Sequence, residues 1–165
     1  MMLGVGPRQR WLTASRVEWE GMRQSATIVI KRPASDVFNY VMEVAHDAEW
    51  RTGIVEAGYT SDGPLGVGST GFDRISANGR DMVAEWTAVE YEPGRLARWR
   101  FDSGPLEGSG GYICEQAEAG TRFTLEAEVK PTGMYRLLGP IYGVIVRRLN
   151  LADVRRLKSI LEDAI

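Results

Sequence analysis

From Phe123 to Val129 apolar and polar residues alternate strictly, with Phe123, Leu125, Ala127 and Val129 on one side and Arg122, Thr124, Glu126, Glu128 and Lys130 on the other. Successive side chains of a strand point to opposite faces, so this stretch predicts a strand with one buried face and one wet face. A blurred form of the same period runs through Met82, Ala84, Trp86 and Ala88, and again through Ala97, Trp99 and Phe101, with a turn at Glu92, Pro93 and Gly94 between them. Further strands are expected at Ala26 to Lys31, where Thr27 to Ile30 is mostly β-branched, at Ile54 to Tyr59, and near Leu106 to Gln116. Turn residues at Gly63 to Gly68, Gly104 and Pro105, and Glu118 to Gly120 punctuate them. Parallel crossovers each need a dozen or more residues, so these short connections predict an antiparallel meander.

Two stretches have helical spacing instead. After Pro33, the residues Val37, Phe38, Tyr40, Val41 and Val44 share one face, and Asp36 lies early, where the helix dipole favours an anion. A second short helical turn is expected over Ala45 to Trp50. From about Met134 to the end, Tyr135, Leu138, Tyr142, Val146, Leu149, Leu157, Ile160 and Leu161 form a stripe. The first half of this helix, with Leu137, Ile141, Val144 and Ile145 added, is apolar nearly all round and is expected to be enclosed. Pro140 suits either the first turn of a helix or a kink. A sheet with one apolar face needs a cover, and only this last helix is long enough. The expected fold is therefore α+β, with about seven antiparallel strands curved around a long C-terminal helix in one domain over residues 24–165. Residues 1–23 hold Trp11, Trp19 and several arginines without any period and read as an extension, which makes Met22 a candidate start.

Composition narrows the function classes. A chain of 165 residues, 44% hydrophobic and 25% charged, is an ordinary globular domain that needs no metal or disulfide staple. Its net charge of −2 and pI near 5.5 offer no field for nucleic acid. Cys114 is the only cysteine, the first residues lack the apolar core of a secretory signal, and no apolar run approaches the roughly 20 residues that span a bilayer. A cytoplasmic setting without integral membrane association is expected. Seventeen arginines against three lysines hint at a GC-rich, bacterial genome.

The order of elements and the stretches ATIVIKRPASDVFNYV, PLGVGST, VEYEPGRLARWRF, GTRFTLEAEVKP and LLGPIYGVIVRRLNLADVRRLKSILE resemble the polyketide cyclase/dehydrase-like branch of the superfamily that contains START lipid-transfer domains and birch-pollen-allergen-like proteins, over about residues 24–164. The resemblance implies the helix-grip fold, with a hydrophobic cavity between sheet and C-terminal helix. It also implies a lipid, quinone or polyketide-like ligand, with cyclisation or dehydration in a minority of members. The matching stretches are structural, and the family brings no shared catalytic motif to carry over.

Among single residues, His46 stands beside Asp47 with Glu49 close by, which is acid–base chemistry if it faces a cavity and an ordinary surface histidine otherwise. Asp153 falls on the apolar side of the last helix, where a carboxylate needs an arginine or hydroxyl partner unless it lies hydrated at the sheet's rim. Trp50, Phe72, Trp86, Trp99, Tyr112, Phe123, Leu138, Tyr142 and Val146 are the candidate ligand contacts, though any one of them taken singly reads first as plain core. No metal-ligand spacing or cofactor motif occurs, and SGPLEGSGG lacks the Lys-Ser/Thr ending of a phosphate loop. The arginines at 136, 147, 148, 155 and 156 make the last helix locally basic, a solvated face or a docking surface for an acidic protein. The expected function is binding of a small hydrophobic ligand. The alternatives are a cyclase or dehydratase, and a protein-interaction module.

Overall fold

A computed structural model describes residues 22–102, 106–131, 137 and 139–163. Seven antiparallel strands form one sheet: β1 (Met22–Ile30), β2 (Ile54–Tyr59), β3 (Thr70–Ala77), β4 (Arg80–Glu92), β5 (Leu96–Asp102), β6 (Leu106–Ala117) and β7 (Gly120–Pro131). Their spatial order is β1-β7-β6-β5-β4-β3-β2. Consecutive strands from β2 to β7 are neighbours, which is the expected meander, and β1 closes the far edge beside β7. β1 begins at Met22, inside the stretch read as an extension, because Met22 and Arg23 continue the pairing with Val129 and Glu128. The rest of that extension, residues 1–21, lies outside the described residues, as do the turn at 104–105 and the expected helix start at 134–136.

Between β1 and β2 lie α1 (Ala34–Met42), a 3-10 turn at Val44–His46 and α2 (Asp47–Trp50). Pro33, with its fixed φ, ends the strand and opens α1, and Asp36 sits in the first turn as expected. Val37, Phe38 and Val41 face inward and are fully buried. The last element, α3 (Gly139–Asp163), has Pro140 in its first turn, where the missing N–H costs nothing.

α3 lies across β1 and also meets β7 and α2. Its second half buries Val154, Leu157 and Leu161 against Ala26, Ile30, Phe123 and Leu125. The end of the helix is fastened by polar groups: Arg32 Nε donates to the Leu161 carbonyl at 2.7 Å, Lys158 Nζ to the Val29 carbonyl at 2.6 Å, and the Lys31 amide to Glu162 at 2.7 Å. These bonds satisfy a last-turn carbonyl that would otherwise lack a partner.

The first half of α3 departs from expectation. Gly143 is buried and Tyr142 and Val146 are half-buried, but Ile141 (63% exposed), Val144, Ile145 and Leu149 face outward, as does Leu137 just before the helix. One sheet covers one side of a helix, and no other described element reaches the opposite side. The fold is α+β and helix-grip: a curled seven-stranded sheet holding a long C-terminal helix, with two short helices after the first strand.

Candidate functional site

A cavity of about 480 Å³, counted out to its open mouth, lies between the short helices and the β2–β6 half of the sheet. Much of that volume is open to solvent, and only about 30 Å³ of it admits the centre of a water-sized sphere. The expected wall from the last helix is absent: among the described residues, none of α3 lines it, because α3 crosses the sheet at the β1–β7 edge. Val41, Met42, Val44 and Asp47 form one wall, and Tyr59, Asp73, Trp86, Trp99 and Tyr112 the other.

Sheet register sets which side chains face in. Trp86 stands directly across from Gly71 and Trp99 from Gly110, so each ring has a residue without a side chain beneath it. A Cβ on Gly110 would lie 2.7 Å from the Trp99 ring, and one on Gly71 would overlap Trp86. These glycines of β3 and β6 thus seat aromatic rings. Tyr59 meets Trp86 edge-on at 5.5 Å, and Trp99 meets Tyr112 edge-on at 4.6 Å, a favoured ring geometry.

Polar groups gather at the inner end. Asp47 is only 4% exposed, since it shares a face of the single turn α2 with the fully buried Trp50. Arg51 leaves that turn extended, and its Nη1 donates to the Tyr112 hydroxyl at 3.0 Å. The hydroxyl in turn donates to Asp47 Oδ1 over a long 3.4 Å. Arg51 Nε lies 3.7 Å from Asp153 Oδ2, and Asp153 Oδ1 accepts from the Thr52 amide at 3.0 Å and the Thr52 hydroxyl at 2.5 Å. On the opposite wall Trp86 Nε1 donates to Asp73 Oδ1 at 3.1 Å.

Burial pushes the Asp47 carboxyl up to about 7, with Arg51 opposing and Asp73 adding to the rise. Burial likewise raises Asp73, against the pull of Arg51 and the Trp86 hydrogen bond. The Tyr112 hydroxyl is held well above its ordinary value by burial and by Asp47, so it remains a proton donor. Burial disfavours the Arg51 charge, but the acidic groups around it more than compensate and keep it a cation. The site thus holds one carboxyl that exchanges its proton near neutral pH, beside a hydroxyl and a fixed positive charge.

Of the residues singled out in the sequence, Trp86, Trp99 and Tyr112 line the cavity. Trp50 and Phe123 are buried beneath it and pack against Tyr112. Phe72 points to the other face of β3, over Gly58, because Asp73 takes the inward position. Tyr142 and Val146 are half-buried on α3, away from the cavity, and the side chain of Leu138 lies outside the described residues. His46 stacks on the Tyr40 ring at 4.3 Å, with Nδ1 3.1 Å from the Tyr40 carbonyl, and does not reach the cavity. Asp153 is 3% exposed, not hydrated at a rim, and has both the arginine and the hydroxyl that burial demands.

Sequence pattern alone does not single out Asp73 or Tyr59, and Asp47 enters only as a neighbour of His46. The signal for Asp47 is local: in DAEWR it precedes Trp50 by three residues and Arg51 by four, the spacing of one helical face. For Asp73 the signal is cross-strand parity, since residues opposite inward-facing Ala84 and Trp86 also face inward. Among the described residues, no group of three or more His, Cys, Asp or Glu side chains is placed to hold a metal ion, and no helix is long and apolar enough to cross a membrane.

Solved structures share this architecture. The Zhui aromatase/cyclase from Streptomyces sp. R1128 superposes with a TM-score of 0.71 at 14% identity, over 85% of this chain and 93% of that one. The TTHA0849 protein of Thermus thermophilus gives 0.72 at 14% identity over 86% and 98%. A START superfamily protein from Mycobacterium smegmatis gives 0.69 at 11% identity over 87% and 99%. At such identities the likeness is one of fold. No curated protein matches the sequence significantly. The model of the family described as polyketide cyclase / dehydrase and lipid transport matches residues 22–163, nearly the whole described chain, and this protein belongs to that family.

Proposed function

We propose that the protein binds a small, mostly apolar molecule of lipid, quinone or polyketide-like character in this cavity, as a carrier or sensor. The observation that carries the reading is the lining itself: Tyr59, Trp86, Trp99 and Tyr112 around an open volume, with Asp47 and Asp73 set among them. Apolar burial at roughly 25 cal/mol per Å² supplies affinity with little discrimination. The carboxyls and the Tyr112 hydroxyl supply orientation, because a ligand that leaves them unpaired forfeits hydrogen bonds in a dry site. Family membership supports the same reading, since its description includes lipid transport.

A second reading is favoured by one specific feature. Asp47, poised near neutral pH beside Tyr112, has the properties of a general acid–base group in a cyclase or dehydratase. Zhui is named an aromatase/cyclase, so the fold supports such chemistry elsewhere.

Native mass spectrometry of the purified protein, followed by denaturing extraction, tests binding. A noncovalent small-molecule adduct is expected in the wild type and absent in Ala88→Trp, which fills the cavity from β4. An adduct retained in Ala88→Trp overturns the assignment to this cavity. Recovery of an added ligand as a cyclised or dehydrated product by wild type, but not by Asp47→Asn, moves the reading to the enzyme.

A further inference from the structure

The charges around the cavity do not balance. Three aspartates stand in or beside it, Asp47 on the helix wall, Asp73 on the sheet wall and Asp153 behind Arg51. Among the described residues two guanidinium groups are close, and both are committed. Arg98 is held by Glu90 at 2.7 Å and Glu126 at 2.9 Å, and Arg51 is engaged by Tyr112 and Asp153. Among the described residues neither Asp47 nor Asp73 has a cation within ion-pair distance. Their hydrogen bonds come from neutral donors, Tyr112 and Trp86. The rings of Tyr59, Trp86, Trp99 and Tyr112 form much of the remaining lining, with Val41, Val44 and Leu65 among the aliphatic residues that complete it.

An anionic ligand would meet two carboxyls in a low-dielectric space and be repelled. A neutral one would leave both carboxyls to hold protons. An ammonium supplies the missing charge to both, and the aromatic rings stabilise it further through their quadrupoles.

We infer that the ligand is a cation, an aryl- or alkylammonium whose charged head lies between Asp47 and Asp73 and whose apolar body packs on Trp86 and Trp99. This rests on the cavity being a ligand site. The groups facing Asp47 are Arg51 and Trp50 from its own segment, Tyr40 from α1, Asp73 from β3, Tyr59 from β2 and Tyr112 from β6. Of these, Arg51 alone is positive.

The test compares two probes of equal shape, benzyltrimethylammonium and its uncharged isostere neopentylbenzene, by calorimetry and by the fluorescence of the cavity tryptophans. At pH 8 the cation is expected to bind at least tenfold more tightly. Its affinity should fall roughly tenfold from pH 8 to pH 6, as Asp47 takes up a proton that competes with it, while that of the hydrocarbon stays level. Asp47→Asn and Asp73→Asn should each cut the preference at least fivefold, with circular dichroism unchanged. Equal or tighter binding of neopentylbenzene at pH 8 overturns the cationic ligand and leaves the binding site standing. Binding of neither probe at millimolar concentration overturns both.

Discussion

Asp47 is the residue on which most of the site's chemistry converges. Its carboxyl has an ordinary value of 3.8 and rises to about 7 in the folded protein, chiefly through burial. The folded state therefore binds this proton more tightly than the unfolded state. Below about pH 4 both states are protonated and the burial is tolerated. Between about pH 4 and 7 the unfolded chain ionises first, so folding stability contributed here falls as pH rises, and above 7 the loss is complete. Asp47→Asn removes the linkage. Urea unfolding at several pH values should show the variant gaining on the wild type from pH 4 to pH 7.5 by on the order of 2–4 kcal/mol, then running parallel. Profiles parallel throughout would show that Asp47 is not buried as a lone acid. This residue was hard to read in the sequence because a polar one-turn helix carries no period. Only its spacing to Trp50 and Arg51 marks an inward face.

Among elements, the joint between α2, β2 and α3 depends on Asp153. Its carboxylate holds the Thr52 amide and hydroxyl and neutralises Arg51, linking the last helix to the chain just before β2. Asp153→Ala should destabilise the fold by about 3 kcal/mol, because it leaves a guanidinium and an amide without their partner. Asp153→Asn, which retains an acceptor for Thr52, should cost less. Thermal unfolding distinguishes the two, and equal losses would mean that the charge alone matters. The pattern at 123–129 fixes β7 because one face is dry and the other wet, and the meander follows from short turns. Asp73 escaped the same reading: in STGFDRIS the apolar residues Phe72 and Ile75 have opposite parity, so the inward face is settled only by pairing with β4. The strand near Leu106 to Gln116 is legible in the sequence, but the use of its glycines is not, because it shows only once the rings of Trp99 and Phe101 are placed over Gly110 and Gly108.

At the scale of the whole molecule, the sheet has two functional halves. The β1–β7 edge and the second half of α3 enclose a filled core around Phe123, Leu125, Val154 and Leu157. Among the described residues, the β2–β6 half is covered by the short helices and the loop at 65–69, and it retains the open volume. An all-round apolar stretch in sequence suggests enclosure, yet the residues around Ile141 and Ile145 face outward. A sequence stripe records what a helix can bury, whereas coverage depends on elements far away in the chain. Two apolar surfaces are thus available to a ligand, the cavity and the outer face of α3, and they lie on different parts of the fold. Titrating ¹⁵N-labelled protein with 2-naphthol, while following amide and indole resonances, separates them most directly. Shifts confined to Tyr59, Asp73, Trp86, Trp99, Tyr112 and the segment from Val41 to Asp47 are the predicted result. Shifts running along Ile141 to Leu149 with the cavity unmoved would contradict the account.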